Sequence, residues 1–432
     1  MPTAQRGVRA LQRLLPFQPG EAGPAWWSFL YFFCVLGGYY VVRPVRDTMG
    51  VTGGVDQLQW LFTATFVVMC LAVPVYGWLA SRVPRRTLIP VAYGFFIANL
   101  LVFAVLMRHE VAEVAVARTF YVWVSVFNLF VVSVFWTFMA DIYTTGQAKR
   151  LFGFIAAGGS AGAVAGPLVT NRFADSLGTA NLLVLSAAAL GLALMSVVRL
   201  RRWAVDRPGP PEEGAIGGRS LDGLRQLVRS RYLTAIGGFI VLYTLTSTFL
   251  YFQQAHIVSA AFGDETARTE AFALIDLATN SLTVGLQLLA THHLVRYMGL
   301  RWALACLPLM VAVGFVALGL MPVFAVLMAF QVLRRAGNYG LTRPARESLF
   351  TTVSRGERYK AKNVIDTVVY RGGDAVAGWI YAGLGAIGLG VSGTAAVAVP
   401  LALAWAGVGY WLGRAGERRR LATGAVPADP AM

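Results

Sequence analysis

The chain has 432 residues, 57% of them hydrophobic and only 13% charged. Soluble chains carry about 25% charged residues, so an ordinary soluble globular protein is excluded. The net charge of +16 would point to nucleic acid in a soluble protein. Here, however, apolar runs of about 20 residues recur along the sequence, each long enough to cross a bilayer as a helix. Cys34, Cys70 and Cys306 are scattered through these runs and give neither a disulfide framework nor metal-ligand spacing. The first long run has no small-residue cleavage site behind it, so no signal peptide is expected.

In chain order, residues 1–25 interleave Arg6, Arg9 and Arg13 with Val8, Leu11, Leu14 and Leu15. That is the pattern of a basic amphipathic segment on a membrane surface, or of a solvated tail. Six apolar spans follow, at roughly Trp26–Val42, Leu58–Leu79, Leu88–Met107, Phe120–Ala140, Leu151–Thr170 and Leu182–Val198. A polar linker with Pro208, Pro210, Pro211, Glu212 and Glu213 occupies 199–231. Six more spans run roughly Leu233–Phe252, Ala271–Ala290, Trp302–Leu320, Val323–Leu341, Val364–Leu384 and Val391–Leu412, ahead of a basic tail, 414–432. The expected fold is an all-α membrane protein with twelve transmembrane helices in two six-helix halves, 26–198 and 232–413.

Arg82, Arg85, Arg86, Lys149, Arg150, Arg296, Arg301 and Arg414 to Arg420 all fall on one side of this arrangement. The positive-inside rule makes that side cytoplasmic, with both termini, and explains most of the basic charge without a nucleic-acid partner. A monomer in a bacterial cytoplasmic (inner) membrane is expected. Ala148-Lys149 leads into the glycine-rich fifth span and Ala361-Lys362 into the glycine-containing eleventh. Parallel repeats of this kind are a transporter signature.

The charges inside or at the edge of the spans carry the functional argument, because charge is costly there. The stretch Val41-Val42-Arg43-Pro44-Val45-Arg46-Asp47 closes the first span, with Arg43, Arg46 and Asp47 on one helical face. Pro44 removes a backbone donor, so the helix is expected to bend or unwind and to line a cavity; snorkelling anchors are the alternative. In the eighth span Asp276, Asn280, Thr283 and Gln287 form one polar stripe: an ion or proton site, a partner for an arginine, or a structural contact between helices. Arg343-Pro344-Ala345-Arg346-Glu347 repeats the chemistry of the first cluster near the tenth span. Lys362, Asp366, Tyr370 and Asp374 share a face at the start of the eleventh, where Asp366 can pair with Lys362, and Arg371 lies beside them. Arginine forks suit phosphate or carboxylate, so Arg43, Arg46, Arg343, Arg346, Asp276 and Asn280 are candidate substrate contacts. Asp47, Glu347, Asp366, Asp374, Arg371 and Lys362 are candidate gate or ion-coupling groups.

Gly77-Trp78-Leu79-Ala80-Ser81-Arg82-Val83-Pro84-Arg85-Arg86 resembles the short cytoplasmic loop of major facilitator transporters. The resemblance implies their fold and makes Arg82 a gating candidate, although Ser81 and Pro84 replace the usual aspartate and glycine. Gly153, Gly162, Gly166 and Pro167 are similar to the family's antiporter pattern, or serve plain helix packing. Tyr39-Tyr40-Val41-Val42-Arg43-Pro44-Val45-Arg46-Asp47, with Ala345-Arg346-Glu347-Ser348-Leu349-Phe350 and Tyr359-Lys360-Ala361-Lys362, resembles the ATP:ADP antiporter family. That resemblance implies exchange of nucleoside phosphates without hydrolysis. It also implies functional charges at Arg46, Asp276 and Arg346, with Arg46 standing where the family commonly has lysine. Proton-coupled efflux of drug-like compounds and a non-transporting scaffold or receptor are the competing functions. No phosphate-binding glycine loop or nucleophile elbow is present, so no enzyme, catalytic residue, cofactor or metal is expected.

Overall fold

The computed structural model describes residues 17–18, 20–204, 230–289, 291–350, 353, 362 and 364–422. The expectations placed on 1–16, on 205–229 of the linker, on 354–361 and on 423–432 lie outside the described residues. All regular structure among the described residues is helical: α1 (Ala22–Thr52), α2 (Leu58–Arg82), α3 (Arg85–Arg108), α4 (Glu113–Ile142), α5 (Thr145–Ala204), α6 (Arg231–Ala261), α7 (Glu265–Leu289), α8 (Thr291–Leu320), α9 (Phe324–Gly337), α10 (Arg343–Leu349), α11 (Tyr370–Ala386) and α12 (Val391–Ala422).

Among the described residues nine of these, α1 to α8 and α12, are long and apolar enough to cross a membrane. With 60 residues, α5 is about three times the length one crossing needs. Gly178, at φ 74 and ψ 162, breaks it into two helices, 145–177 and 179–204. A side chain would oppose that backbone conformation, which glycine adopts freely. Gly299 breaks α8 in the same way, at φ 69. The expected tenth and eleventh spans are the interrupted ones. There α9 has 14 residues and runs through a π-helical turn, Asn338–Thr342, into α10, while a second π-turn, Ile365–Val369, precedes the 17 residues of α11.

The chain forms two compact units. The first comprises Met1–Gly53, Val67–Gly214 and Asp264–Leu277; the second comprises Gly54–Phe66, Ala215–Gly263 and Ala278–Met432. In the first, α1 is the central helix. Tyr31, Val35, Val42 and Val45 are fully buried with Phe127, Phe135, Leu182, Leu183 and Leu190, and Phe32 stacks on Phe135 at 4.1 Å.

Without a water-driven hydrophobic force between membrane helices, close packing relies on small residues. Gly158, Gly162 and Gly166 of α5 lie against the α1 backbone, where a methyl group at each would strike the carbonyls of Phe29, Phe33 and Gly37. Ser186 donates to Gly38 O at 3.0 Å and Thr170 to Val41 O at 3.1 Å. The expected unwinding at Pro44 does not occur, since α1 is continuous from Ala22 to Thr52.

The end of α1 is fixed by Glu21, whose carboxylate accepts from Arg150 at 2.8 Å and from Gln147 at 3.1 Å. Burial works to raise its pKa, but hydrogen bonds from the Gln18 backbone, Gln147 and Arg150 outweigh it and hold the pKa below the usual carboxylate value. A lowered folded-state pKa stabilises above the unfolded pKa, and that contribution is lost as pH falls through the folded value. The melting temperature should therefore fall on acidification below about pH 4.5, and Glu21→Gln should flatten that acid limb while lowering stability at pH 7. An acid limb identical in wild type and Glu21→Gln would remove this role.

Candidate solute-binding site

In the first unit, the charged end of α1 is held by three neighbours. Arg43 Nη1 pairs with Asp276 Oδ1 of α7 at 3.0 Å, and Asp276 is 3% exposed. Of the roles open to Asp276, the structure gives it the arginine partner. Arg46 donates from Nε to the Tyr121 carbonyl at 3.2 Å and from Nη1 to buried Asp47 at 3.2 Å. Its guanidinium also lies 4.0 Å over the Tyr121 ring. These are bonded groups inside a helix, unlike arginines snorkelling to an interface. Thr48 and Thr269 join α1 to α7 at 2.8 Å, and Asn171 donates to Glu270 O at 3.1 Å.

In the second unit, Arg346 of α10 reaches Glu347 at 3.0 Å and Asp366 at 3.4 Å, and Lys362 reaches Glu347 at 2.5 Å. Four of the expected residues therefore meet, but with different partners. Asp366 takes Arg346 rather than Lys362. The π-turn at Ile365–Val369 disturbs the α-helical spacing on which the shared face of Lys362, Asp366, Tyr370 and Asp374 was drawn. Asp374 accepts from Thr248 at 3.2 Å and lies 3.9 Å from Arg371. Arg343 is exposed on α10, Asn280 is buried on α7, and Arg82 is exposed over the Trp78 ring at 5.3 Å. The glycine pattern of α5 serves helix packing at Gly162 and Gly166, and nothing lies within 4 Å of a methyl at Gly153.

The sequence reading missed Arg334 and Arg335 on α9, which are 6% and 8% exposed. Arg334 bonds to Ser247 at 2.9 Å and to Gln331, which in turn donates to Gln254 of α6. The signal was available. Two adjacent arginines interrupt the apolar run, with Gln331 three residues before the first and Asn338 four after, in a span where charge is costly. Asn338 opens the π-turn and donates to the Tyr243 hydroxyl at 3.2 Å.

Nine helices among the described residues have the length and composition of membrane spans, and Arg43, Arg46 and Arg334 are bonded within or beside them. A family model described as Major Facilitator Superfamily matches residues 25–274. The chain belongs to that superfamily and is a secondary transporter rather than an enzyme. No curated protein gives a significant match. Among solved structures, a bacterial homologue of the human lysosomal transporter Spinster is 13% identical, with 93% of this chain and 99% of that one covered and a TM-score of 0.64. The nucleoside transporter NupG is 14% identical over 92% of this chain and 98% of its own, with a TM-score of 0.60. A bacterial homologue of the iron transporter ferroportin is 13% identical over 90% and 98%, at 0.64. At these identities the likeness is one of fold.

Proposed function

We propose that this transporter exchanges an anionic solute, ATP and ADP or another phosphorylated metabolite, across a bacterial inner membrane by alternating access. The observation that carries the reading is the charge inside the second unit. Arg334, Arg335 and Arg346 are buried there, while among the described residues the buried carboxylates, Glu21, Asp47 and Asp276, all belong to the first unit. The carboxylates that meet Arg346 are each 36% exposed. Arg346 is met by those carboxylates, whereas the partners of Arg334 among the described residues are uncharged, and a buried charge without a counter-charge is expensive until an anion offsets it. The pairs Arg43–Asp276 and Arg46–Asp47 then act as gate groups that open and re-form as the solute passes. Twelve crossings fit the helices if α5 counts as two and α9 with α10 as one, with both termini cytoplasmic.

Radiolabelled ATP uptake into proteoliposomes preloaded with ADP, beside empty and buffer-loaded vesicles, tests this directly. Uptake that requires internal ADP is the expected result. Uptake of a neutral or cationic compound driven by a proton gradient, with no response to any internal anion, would overturn it.

A further inference from the structure

Arg334 differs from Arg43, Arg46 and Arg346 in what it touches. Its Nε and Nη2 both donate to Gln331 Oε1, at 3.3 and 3.0 Å, and its Nη1 donates to Ser247 Oγ at 2.9 Å. The Gln331 amide donates in turn to Gln254 Oε1, which fixes the Gln331 carbonyl toward the guanidinium. All of these partners are uncharged, and among the described residues no carboxylate lies within ion-pair distance of Arg334. By contrast Arg43, Arg46 and Arg346 each hold a carboxylate.

A guanidinium has five N–H groups. Three are committed to Gln331 and Ser247, leaving one on each terminal nitrogen. Two N–H groups on a planar guanidinium can take two oxygens of one carboxylate or phosphate. Arg334 is 6% exposed, so its charge is already desolvated and oriented when an anion arrives. It also sits one turn ahead of the π-turn Asn338–Thr342. π-turns inside α-helices occur frequently at functional sites.

We propose that Arg334, oriented by Gln331, Gln254 and Ser247, binds one oxyanion group of the transported solute, a carboxylate or a phosphate. The proposal rests on the anionic-solute reading above. Gln331 is a positioning residue, since it acts by aiming the guanidinium.

The test uses the full chain in nanodiscs, with melting-temperature shifts and titration against inorganic phosphate, benzoate, ATP and, as a cation control, tetraethylammonium. At least one oxyanion should stabilise the wild type. Arg334→Gln should weaken its binding by about 10- to 100-fold while the ligand-free variant melts no lower than wild type. Arg334→Lys, which keeps the charge but loses the fork, should fall between the two, and Arg108→Gln should bind as wild type. The responding probe distinguishes carboxylate from phosphate. Equal oxyanion affinity in wild type and Arg334→Gln would overturn the site and leave the anionic reading standing. A wild type that responds to tetraethylammonium and to no oxyanion would overturn both. If Arg334→Gln does not fold, undiminished binding by Arg334→Lys overturns the site.

Discussion

Replacing Asp276 with alanine is expected to cost about 3–5 kcal/mol of stability, the range found when one partner of a buried ion pair is removed. The mutation leaves Arg43 charged, 19% exposed and without the carboxylate that now lies 3.0 Å away. Most of the penalty is the uncompensated charge rather than the worth of the pair. Neutralising both partners, as Arg43→Gln with Asp276→Asn, should therefore recover much of the loss. A double-mutant cycle in denaturation midpoints measures the coupling. Transport should fail in the single mutant even where some folded protein remains, because α1 and this segment of α7 meet through the pair. A single-mutant loss within about 0.5 kcal/mol, the scale of an ordinary surface substitution, would show that the pair does not hold these helices.

The second large effect concerns a residue with no charge. Gly162→Val should remove the folded protein from the membrane extract, at a cost above about 3 kcal/mol, beyond ordinary overpacking. A methyl group there already meets the Phe33 carbonyl and the Gly37 amide, both backbone atoms that no rotamer change can move. The helices would have to separate, and with them the bonds from Thr170 and Ser186 into α1. Gly153→Ala is the matched comparison, because nothing lies within 4 Å of its added carbon. It should be neutral or stabilising by about 0.5–1 kcal/mol, since glycine costs more backbone entropy than alanine inside a helix. Normal yield and monodispersity of Gly162→Val by size-exclusion chromatography would dissolve the argument.

The contrast between these glycines shows where the sequence could be read and where it could not. A spacing of small residues announces a packing face, but which members touch a neighbour depends on where the partner helix crosses, so Gly153 and Gly162 look alike until α1 is in place. Charges in apolar runs were legible because charge is costly there: Arg43, Arg46 and Asp276 stand out against residues that tolerate lipid. Arg334 and Arg335 offered the same signal and were passed over beside the conspicuous Arg-Pro motif at 343–347. The pairing of Asp366 was not legible. It depends on a π-turn, which inserts an unscheduled residue into the helical count and has no marker in a run of Ile365, Asp366, Thr367, Val368 and Val369. At Pro44 the expectation of a bend or unwinding fails only as to unwinding, because α1 runs continuously through it.

Those π-turns have a consequence for motion. An α-helix advances about 100° per residue, so a π-turn that relaxes into α-helix swivels everything beyond it by a comparable angle while hardly changing the helix ends. The turn at Asn338–Thr342 stands between Arg334 and Arg346, and the turn at Ile365–Val369 stands between Lys362 and Asp374. The α9–α10 segment thus carries arginines on both sides of its π-turn. Such a relaxation would re-aim Arg343 and Arg346 relative to Arg334 and Arg335 while the helix keeps its place in the unit.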